Sequence, residues 1–128
     1  MSLQWRVRLG AVAELDFANI LKWTTANFGV RQAAIYRDTL LRAIGELANG
    51  PDVAGSKARD EIMSGLRTLH VARRGRRGRH FILYRAGEIL YRAGEGRIIE
   101  IGRILHDQMD LQRHLPFPPD RGDDESSA

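Results

Sequence analysis

The sequence lacks cysteine, and of its 20 basic residues only Lys22 and Lys57 are lysines. Without cysteine the chain has no disulfides and no thiolate metal ligands, which is typical of proteins from a reducing cytoplasm. No apolar stretch approaches the roughly 18 residues that cross a membrane, and the N-terminal residues lack the basic-then-apolar pattern of a secretion signal. We therefore expect a cytoplasmic protein that does not enter a membrane.

Sequence motifs of the common cofactor and metal sites are also missing. The segment around Gly94 and Gly96 lacks the strand, loop and helix that surround a phosphate-binding loop. His106 and His114 are too far apart to form a helical metal pair, and no carboxylate cluster accompanies them. We predict neither a metal nor a cofactor.

Positive charge is concentrated in the second half of the chain. The formal net charge is +4, but residues 66–103 contain ten arginines and three glutamates, a balance of +7. Such a segment suits a partner rich in phosphate or carboxylate groups. The alternative is a solvated sheet face in an arginine-rich protein, although composition alone would spread the charge evenly.

Two amphipathic helices are predicted in the first half of the chain. Residues 11–28 and 30–48 carry apolar side chains at three- and four-residue spacing, as one-sided helices do. Gly29 ends the first helix, and so short a link predicts an antiparallel hairpin. Phe28 lies on the apolar line of the first helix, and Trp23 is interpreted as a packing residue rather than a binding surface.

Four strands are predicted from alternating and apolar-rich segments. Residues 3–9 alternate apolar and polar side chains, whereas residues 66–73, 79–85 and 97–106 are strand-type runs. A glycine-containing turn at 74–78 joins the second strand to the third. The predicted fold class is α+β: an N-terminal strand, an antiparallel helical hairpin, and an antiparallel three-strand meander against which the helices pack.

The folded domain is predicted to span residues 1–115. Residues 51–65 are predicted as a loop with one helical turn near 60–63, and residues 107–115 as a short terminal helix. Residues 116–128 begin with a proline-rich stretch and continue as an acidic tail, which predicts disorder.

The segment from Leu83 to Glu88 is repeated seven residues later, from Leu90 to Glu95. An odd-numbered insertion absorbed into a strand would turn core residues such as Phe81 toward solvent. The extra residues are therefore expected at the tip of a hairpin, as a longer loop or a short ribbon without chemical function.

Two stretches combine strand-forming residues with arginine and histidine, which packing does not require. They are Gly78-Arg79-His80-Phe81-Ile82-Leu83-Tyr84-Arg85 and Arg103-Ile104-Leu105-His106-Asp107-Gln108-Met109-Asp110. With Trp5-Arg6-Val7 before two helices and His114-Leu115 at the end, the chain over about residues 3–115 resembles the ParE/RelE superfamily of bacterial toxins. The ParE side is the more similar, since its chains end in a comparable strand followed by Met-Asp and His-Leu.

The resemblance implies the toxin of a type II toxin-antitoxin pair, of the kind associated with plasmid stabilization. Its partner would be a cognate antitoxin with a DNA-binding domain, through which the complex would bind operator DNA indirectly. An acidic antitoxin segment that folds on binding would complement the basic segment. The predicted antitoxin-binding residues are Arg67, Arg73, Arg79, Arg85 and Arg103.

The cellular target is predicted from the same resemblance. RelE-like members cleave messenger RNA on the ribosome without metal, and the matching positions here are Arg67, Arg79 and Arg103 for phosphate and His106 as acid or base. However, the strands carry no lysine, and Asp107-Gln108 stands where a nuclease has tyrosine. These departures favour non-catalytic binding of DNA gyrase, with Arg103, His106, Met109 and Asp110 as target-binding residues. The ribosome-dependent nuclease stays the alternative.

Overall fold

The computed structural model describes residues 5–91 and 94–118, which form a five-stranded sheet with two helices packed on one face. The elements are β1 (Arg6–Leu9), α1 (Ala11–Phe28), α2 (Val30–Glu46), β2 (Lys57–Ala58), β3 (Arg67–His70), β4 (His80–Tyr91) and β5 (Gly94–His106). The strand order is β1-β5-β4-β3-β2, with β1 parallel to β5 and the other pairs antiparallel.

The predicted fold class is confirmed. The helical hairpin and the antiparallel meander of β3, β4 and β5 are present, and β1 joins them by pairing with the far side of β5. α1 has the predicted bounds because Gly29, with φ of 93°, ends it as expected. α2 is shorter than predicted, since the chain tightens into a 3-10 turn at Leu47–Asn49. The predicted loop at 51–65 contains the two-residue β2, which has too few residues to show a period.

The main core lies between the helical hairpin and the sheet. Its fully buried sheet residues include Leu69, Ile82, Tyr84 and Ile101, and Leu40 of α2 packs against them. The alternation of buried residues along the strands gives the sheet one apolar face here, as the sequence pattern indicates. None of the helices in the described part of the chain is long and apolar enough to span a membrane.

The other face of the sheet carries a second cluster built around the C-terminal segment. Phe117 is 6% exposed and packs with Leu66, Leu83 and Leu105, while the Arg85 guanidinium lies 3.8 Å from the centre of its ring. Ordered packing therefore continues past residue 115, where the tail was predicted to begin. The rest of that predicted tail, residues 119–128, lies outside the described residues.

A β-bulge adjusts the pairing of β4 with β5. Leu83 pairs with Arg103 and Tyr84 pairs with Ile101, so Gly102 is the extra residue of β5. A side chain at Gly102 would lie 2.5 Å from Pro116, so only glycine permits this close approach of the C-terminal segment.

The repeated segment extends β4 and β5 as a two-stranded ribbon. The pairs continue from Glu88 with Arg97 to Tyr91 with Gly94, beyond the residues that pair with β1 or β3. The expectation of a short ribbon at the hairpin tip is confirmed.

The predicted terminal helix over residues 107–115 is wrong. The chain after β5 forms tight turns, and only Leu111–Arg113 makes a 3-10 turn. Asp110 starts this turn by accepting a hydrogen bond from the Gln112 N–H at 3.1 Å. So short a segment cannot repay helix nucleation, and Pro116 prevents its extension.

Candidate functional site: the hairpin groove

A groove of about 990 Å³ lies between the helical hairpin, the β3–β4 loop and the end of β5. We call it the hairpin groove. Its lining residues come from α1 (Asp16, Asn19, Ile20, Trp23, Thr24, Phe28), α2 (Gln32, Ile35, Tyr36, Thr39), the loop and β4 (Gly75, Arg76, Arg77, Gly78, Arg79, His80), and β5 with the turn after it (Arg103, Ile104, Leu105, His106, Met109). Most of its exposed surface is apolar, a composition suited to a partner with an apolar face.

Apolar side chains of the helices form the open wall of the groove. Trp23 is 60% exposed, Phe28 63% and Ile35 50%, and the Trp23 and Phe28 rings meet edge to face at 5.7 Å. The interpretation of Trp23 as a packing residue is wrong, and Phe28 does not lie in the core. Both residues sit in the last two turns of α1, where their apolar faces remain open on the groove.

Asp16 completes the exposed edge of β5 at the floor of the groove. β1 pairs with β5 only as far as Ile101, and beyond it the Asp16 carboxylate accepts a hydrogen bond from the Ile104 N–H at 2.9 Å. The Arg103 guanidinium donates two hydrogen bonds to the same carboxylate, at 2.7 and 3.0 Å. This bidentate contact raises the pKa of Arg103 and anchors α1 to the sheet.

Tyr36 and His80 form a half-buried pair beside the floor. The phenol oxygen of Tyr36 accepts a hydrogen bond from the Arg79 N–H at 3.0 Å and lies 2.6 Å from His80 Nδ1. Burial, and then the nearby charge of His106, lowers the pKa of His80 to about 4, so its ring is neutral at physiological pH. Burial also raises the pKa of Tyr36, which stays a hydrogen-bonding phenol. Gly78 lies next to this pair, and a side chain there would lie 2.5 Å from Val71 Cγ2 and 3.2 Å from the Tyr36 hydroxyl.

His106 and Met109 complete the sheet end of the groove. The His106 ring meets the His80 ring edge to face, with centroids 5.4 Å apart, and its Nδ1 accepts a hydrogen bond from the Gln108 N–H at 3.1 Å. The same Nδ1 lies 3.6 Å from the Asp107 carboxylate, which is too long for a hydrogen bond. The backbone contact therefore fixes the acceptor at Nδ1. Met109 is 45% exposed at the rim.

Most arginines of the basic segment are paired with carboxylates from distant parts of the chain. Glu46 binds both Arg73 and Arg74, and these contacts lower the pKa of Glu46 to about 2. Further pairs join Arg76 to Asp38, Arg79 to Asp107, Arg85 to Glu100 and Arg103 to Asp16. Five carboxylates therefore pair with six arginines of the segment, so its positive charge is less concentrated than the sequence alone indicates.

The predicted antitoxin-binding arginines do not all lie together. Arg79 and Arg103 line the groove, whereas Arg73 is held against Glu46 and the Ala54 carbonyl. Arg67 donates hydrogen bonds to the Pro51 carbonyl at 2.9 Å and the Ser56 hydroxyl at 2.8 Å. Arg85 stacks on Phe117 on the opposite face.

The positions that match a nuclease are spread along the sheet. Arg67 pairs with Tyr84 and His106 pairs with His80, so four residues of β4, about 13 Å of strand, separate the two levels. Arg103 is engaged by Asp16 between them. Arg79, the fourth matching position, lines the groove with Arg103 and His106 but is paired with Asp107, and Arg67 lies apart from all three.

Three of the four predicted target-binding residues, Arg103, His106 and Met109, lie in the groove. Asp110 lines a smaller recess of about 300 Å³ beside it, where it also pairs with Arg113 at 3.5 Å. Asp107 lines the same recess and accepts hydrogen bonds from Arg79 and from His70, at 3.2 and 2.9 Å. Those two donors lower the pKa of Asp107 to about 2.

Several lining residues were not identified from the sequence as site residues. Trp23, Phe28 and Ile35 carry the apolar wall, and Tyr36 and His80 carry its polar end. The sequence contains one signal of this wall. The helices carry more large apolar residues than one buried face needs, and the extra ones, such as Trp23 and Ile35, lie off the spacing of the core positions. Within residues 5–91 and 94–118, no three His, Asp or Glu side chains form a group suited to a metal ion.

Comparison with known proteins identifies the family. Residues 7–111 match the family described as ParE toxin of type II toxin-antitoxin system, parDE. Toxin ParE1 of two Mycobacterium tuberculosis strains is 34% identical over 110 residues, covering 86% of this chain and 97% of that toxin. A solved chain from the chromosomal ParDE TA system of P. aeruginosa has the same fold, with a TM-score of 0.62, 19% identity, and coverage of 82% of this chain and 98% of that chain. The chain belongs to the ParE toxin family of type II toxin-antitoxin systems.

Proposed function

We propose that this ParE-family toxin stops growth by binding DNA gyrase in the cytoplasm, and that its antitoxin silences it by occupying the hairpin groove. Membership of a ParDE-type family implies a cognate antitoxin. The proposed occupant is an amphipathic helix, with an adjoining DNA-binding domain that brings the complex to operator DNA.

The exposed apolar wall carries the proposal for the groove. Trp23, Phe28 and Ile35 are each at least half exposed on one side of a single groove. A monomer gains nothing from leaving three large apolar side chains in water, whereas an amphipathic helix would cover them with its own apolar face. The paired arginines at the rim would add orientation more than affinity.

The separation of the nuclease-like positions supports binding over cleavage. Cleavage needs a base, a phosphate-stabilising cation and an acid around one phosphate. Arg67 lies about four strand residues from His106, and Arg103 already pairs with Asp16. The sheet end of the groove, with Arg103, His106 and Met109, is the surface proposed to contact gyrase.

The proposal for the target is tested with purified components. Supercoiling and DNA cleavage by gyrase are measured with increasing toxin, in parallel with cleavage of messenger RNA on programmed ribosomes. We expect loss of supercoiling, accumulation of gyrase-linked DNA breaks and intact messenger RNA. Cleaved messenger RNA with unaffected gyrase would instead support the nuclease alternative, particularly if His106→Ala stopped the cleavage.

Toxin variants in the same gyrase assay test which surface contacts gyrase. His106→Ala and Met109→Ala change exposed groove residues and are expected to reduce gyrase inhibition. Arg37→Ala changes an exposed arginine of α2 that does not line the groove, so it serves as the matched control. Equal inhibition by all three variants would place the gyrase contact elsewhere.

A further inference from the structure

Two histidines at the sheet end of the groove each have one ring nitrogen in use. The Tyr36 hydroxyl, whose oxygen accepts from the Arg79 N–H, directs its own proton to His80 Nδ1 at 2.6 Å. His106 Nδ1 accepts from the Gln108 N–H at 3.1 Å. Because Nδ1 of each ring accepts a hydrogen bond, the ring proton lies on the other nitrogen, and both rings present an Nε2–H donor. In the described part of the chain, neither Nε2 has a hydrogen-bond partner.

Arg77 supplies a positive charge in the same groove. Its side chain is exposed and has no carboxylate within ion-pair distance among residues 5–91 and 94–118. The other groove arginines differ, because each is already paired: Arg76 with Asp38, Arg79 with Asp107, and Arg103 with Asp16. The groove therefore offers two imidazole N–H donors and one guanidinium that, within the described residues, is not paired with a carboxylate. An anion could accept hydrogen bonds from all three groups.

We infer that His80, His106 and Arg77 form a carboxylate receptor, which binds one aspartate or glutamate side chain of the antitoxin helix. The inference rests on the proposed function, since it assigns a chemistry to one position of the same partner. A carboxylate accepts up to four hydrogen bonds, so one such side chain can satisfy both imidazoles and the guanidinium.

The surroundings favour a carboxylate on a protein helix over a nucleic-acid phosphate. The receptor lies at one end of a groove whose open wall is Trp23, Phe28 and Ile35. Nucleic-acid interfaces are polar and strongly positive, and most groove arginines are neutralised within the chain. An amphipathic helix would place apolar side chains against the wall and a single acidic side chain in the receptor.

The receptor would also contribute to the specificity of antitoxin binding. Apolar contacts along the groove accept many amphipathic helices, because they depend mainly on area. A carboxylate left out of register would be desolvated without partners, whereas one in register gains charge-assisted hydrogen bonds. The receptor would therefore fix the position of the antitoxin helix along the groove.

Double-mutant cycles test the receptor. The full-length cognate antitoxin is the probe, with each acidic residue changed singly to its amide. Each antitoxin variant is titrated calorimetrically against the native toxin, His106→Phe, Arg77→Gln and the control Arg37→Gln. Arg77 and Arg37 are both exposed, and only Arg77 lines the groove.

We expect one antitoxin carboxylate whose removal weakens binding about tenfold with the native toxin and with Arg37→Gln. With His106→Phe and with Arg77→Gln, removal of that same carboxylate should change binding less than about twofold. If each antitoxin carboxylate change weakened binding by the same factor with His106→Phe and with Arg77→Gln as with the native toxin, the receptor would be refuted. Because Arg77 is exposed, the result does not depend on how well His106→Phe folds.

A Trp23→Ala variant separates this inference from the proposed function. If Trp23→Ala weakens antitoxin binding but no carboxylate couples to His106 or Arg77, only the receptor is refuted. If Trp23→Ala binds as well as the native toxin, the groove itself is not the antitoxin site. A single-stranded RNA or DNA 12-mer that competes with antitoxin, and needs both His106 and Arg77 to do so, would show a phosphate site and overturn the carboxylate assignment.

Discussion

Replacing Trp23 with alanine is expected to separate binding from folding. Trp23 leaves 60% of its surface exposed, and its aromatic contact is an edge-to-face pair with Phe28 at 5.7 Å. Losing that pair costs about 0.5–1.5 kcal/mol. The free energy of unfolding in urea should therefore fall by about 0.5–1.5 kcal/mol, while the binding free energy with antitoxin falls by more.

The expected loss of affinity follows from the exposed area. A tryptophan offers about 250 Å² of surface, of which the exposed 60% is about 150 Å². Covering that area is worth about 3–4 kcal/mol at about 25 cal/mol per Å². Ordering the side chain in the complex opposes this by about 0.5–1.5 kcal/mol. The remaining 2–3 kcal/mol corresponds to an increase in Kd of about 30- to 150-fold.

The measurement is a calorimetric titration of toxin with its cognate antitoxin. Leu15→Ala is the matched control, since Leu15 is 62% exposed on the same helix but does not line the groove. Trp23→Ala should lose affinity, and Leu15→Ala should keep the native Kd within about twofold. Native affinity for Trp23→Ala, or an equal loss for Leu15→Ala, would refute the assignment of the apolar wall.

Three further predictions concern the stability of the fold. Asp16→Asn should lower the free energy of unfolding by about 1–3 kcal/mol in urea, because Arg103 loses its charged partner; an unchanged midpoint would contradict the anchoring role. Glu46 has a folded pKa of about 2 against an ordinary 4.5, so its stabilising effect is present above pH 4.5 and is lost as pH falls toward 2. Glu46→Gln should therefore destabilise the protein at pH 7 and flatten the acid branch of its stability profile, and a native profile would rule this out. Deleting Ile89–Glu95 removes one repeat from the ribbon and should leave Tm nearly unchanged; a large drop would show that the ribbon supports the core.

The sequence predicted the main elements because their signals are local. α1 has glycine immediately before and after it, so both of its ends were predicted to the residue. The alternation of side chains along β3, β4 and β5 determines which residues belong to the core under the helices and which to the cluster on the other face. β2 has two residues and no period, and it forms only because β3 lies beside it. The predicted terminal helix does not form, because a segment of nine residues ending before Pro116 is too short to repay helix nucleation, and only Leu111–Arg113 makes a turn.

The candidate site was predicted only in part because its contacts are long-range. Arg103 and His106 lie in the last strand and Met109 in the turn after it, and all three were found through the family motif. Asp16 meets Arg103 across 87 positions of sequence, so no local pattern reveals that the guanidinium is engaged. An apolar side chain such as Trp23 gives the same periodic signal whether it faces its own sheet or a partner. Sequence periodicity therefore could not separate the core from the groove.

Hydrogen–deuterium exchange on the toxin, alone and saturated with antitoxin, tests most directly whether the hairpin groove is the antitoxin site. Amides of the end of α1, the first half of α2 and the end of β5 surround the groove and should become strongly protected in the complex. Amides of β2 and of Arg59, Glu61 and Ile62 in the recess near Asp110, none of which lines the groove, should keep their native exchange rates. Protection confined to β2 and that recess, with unchanged exchange around Trp23 and His106, would contradict the account.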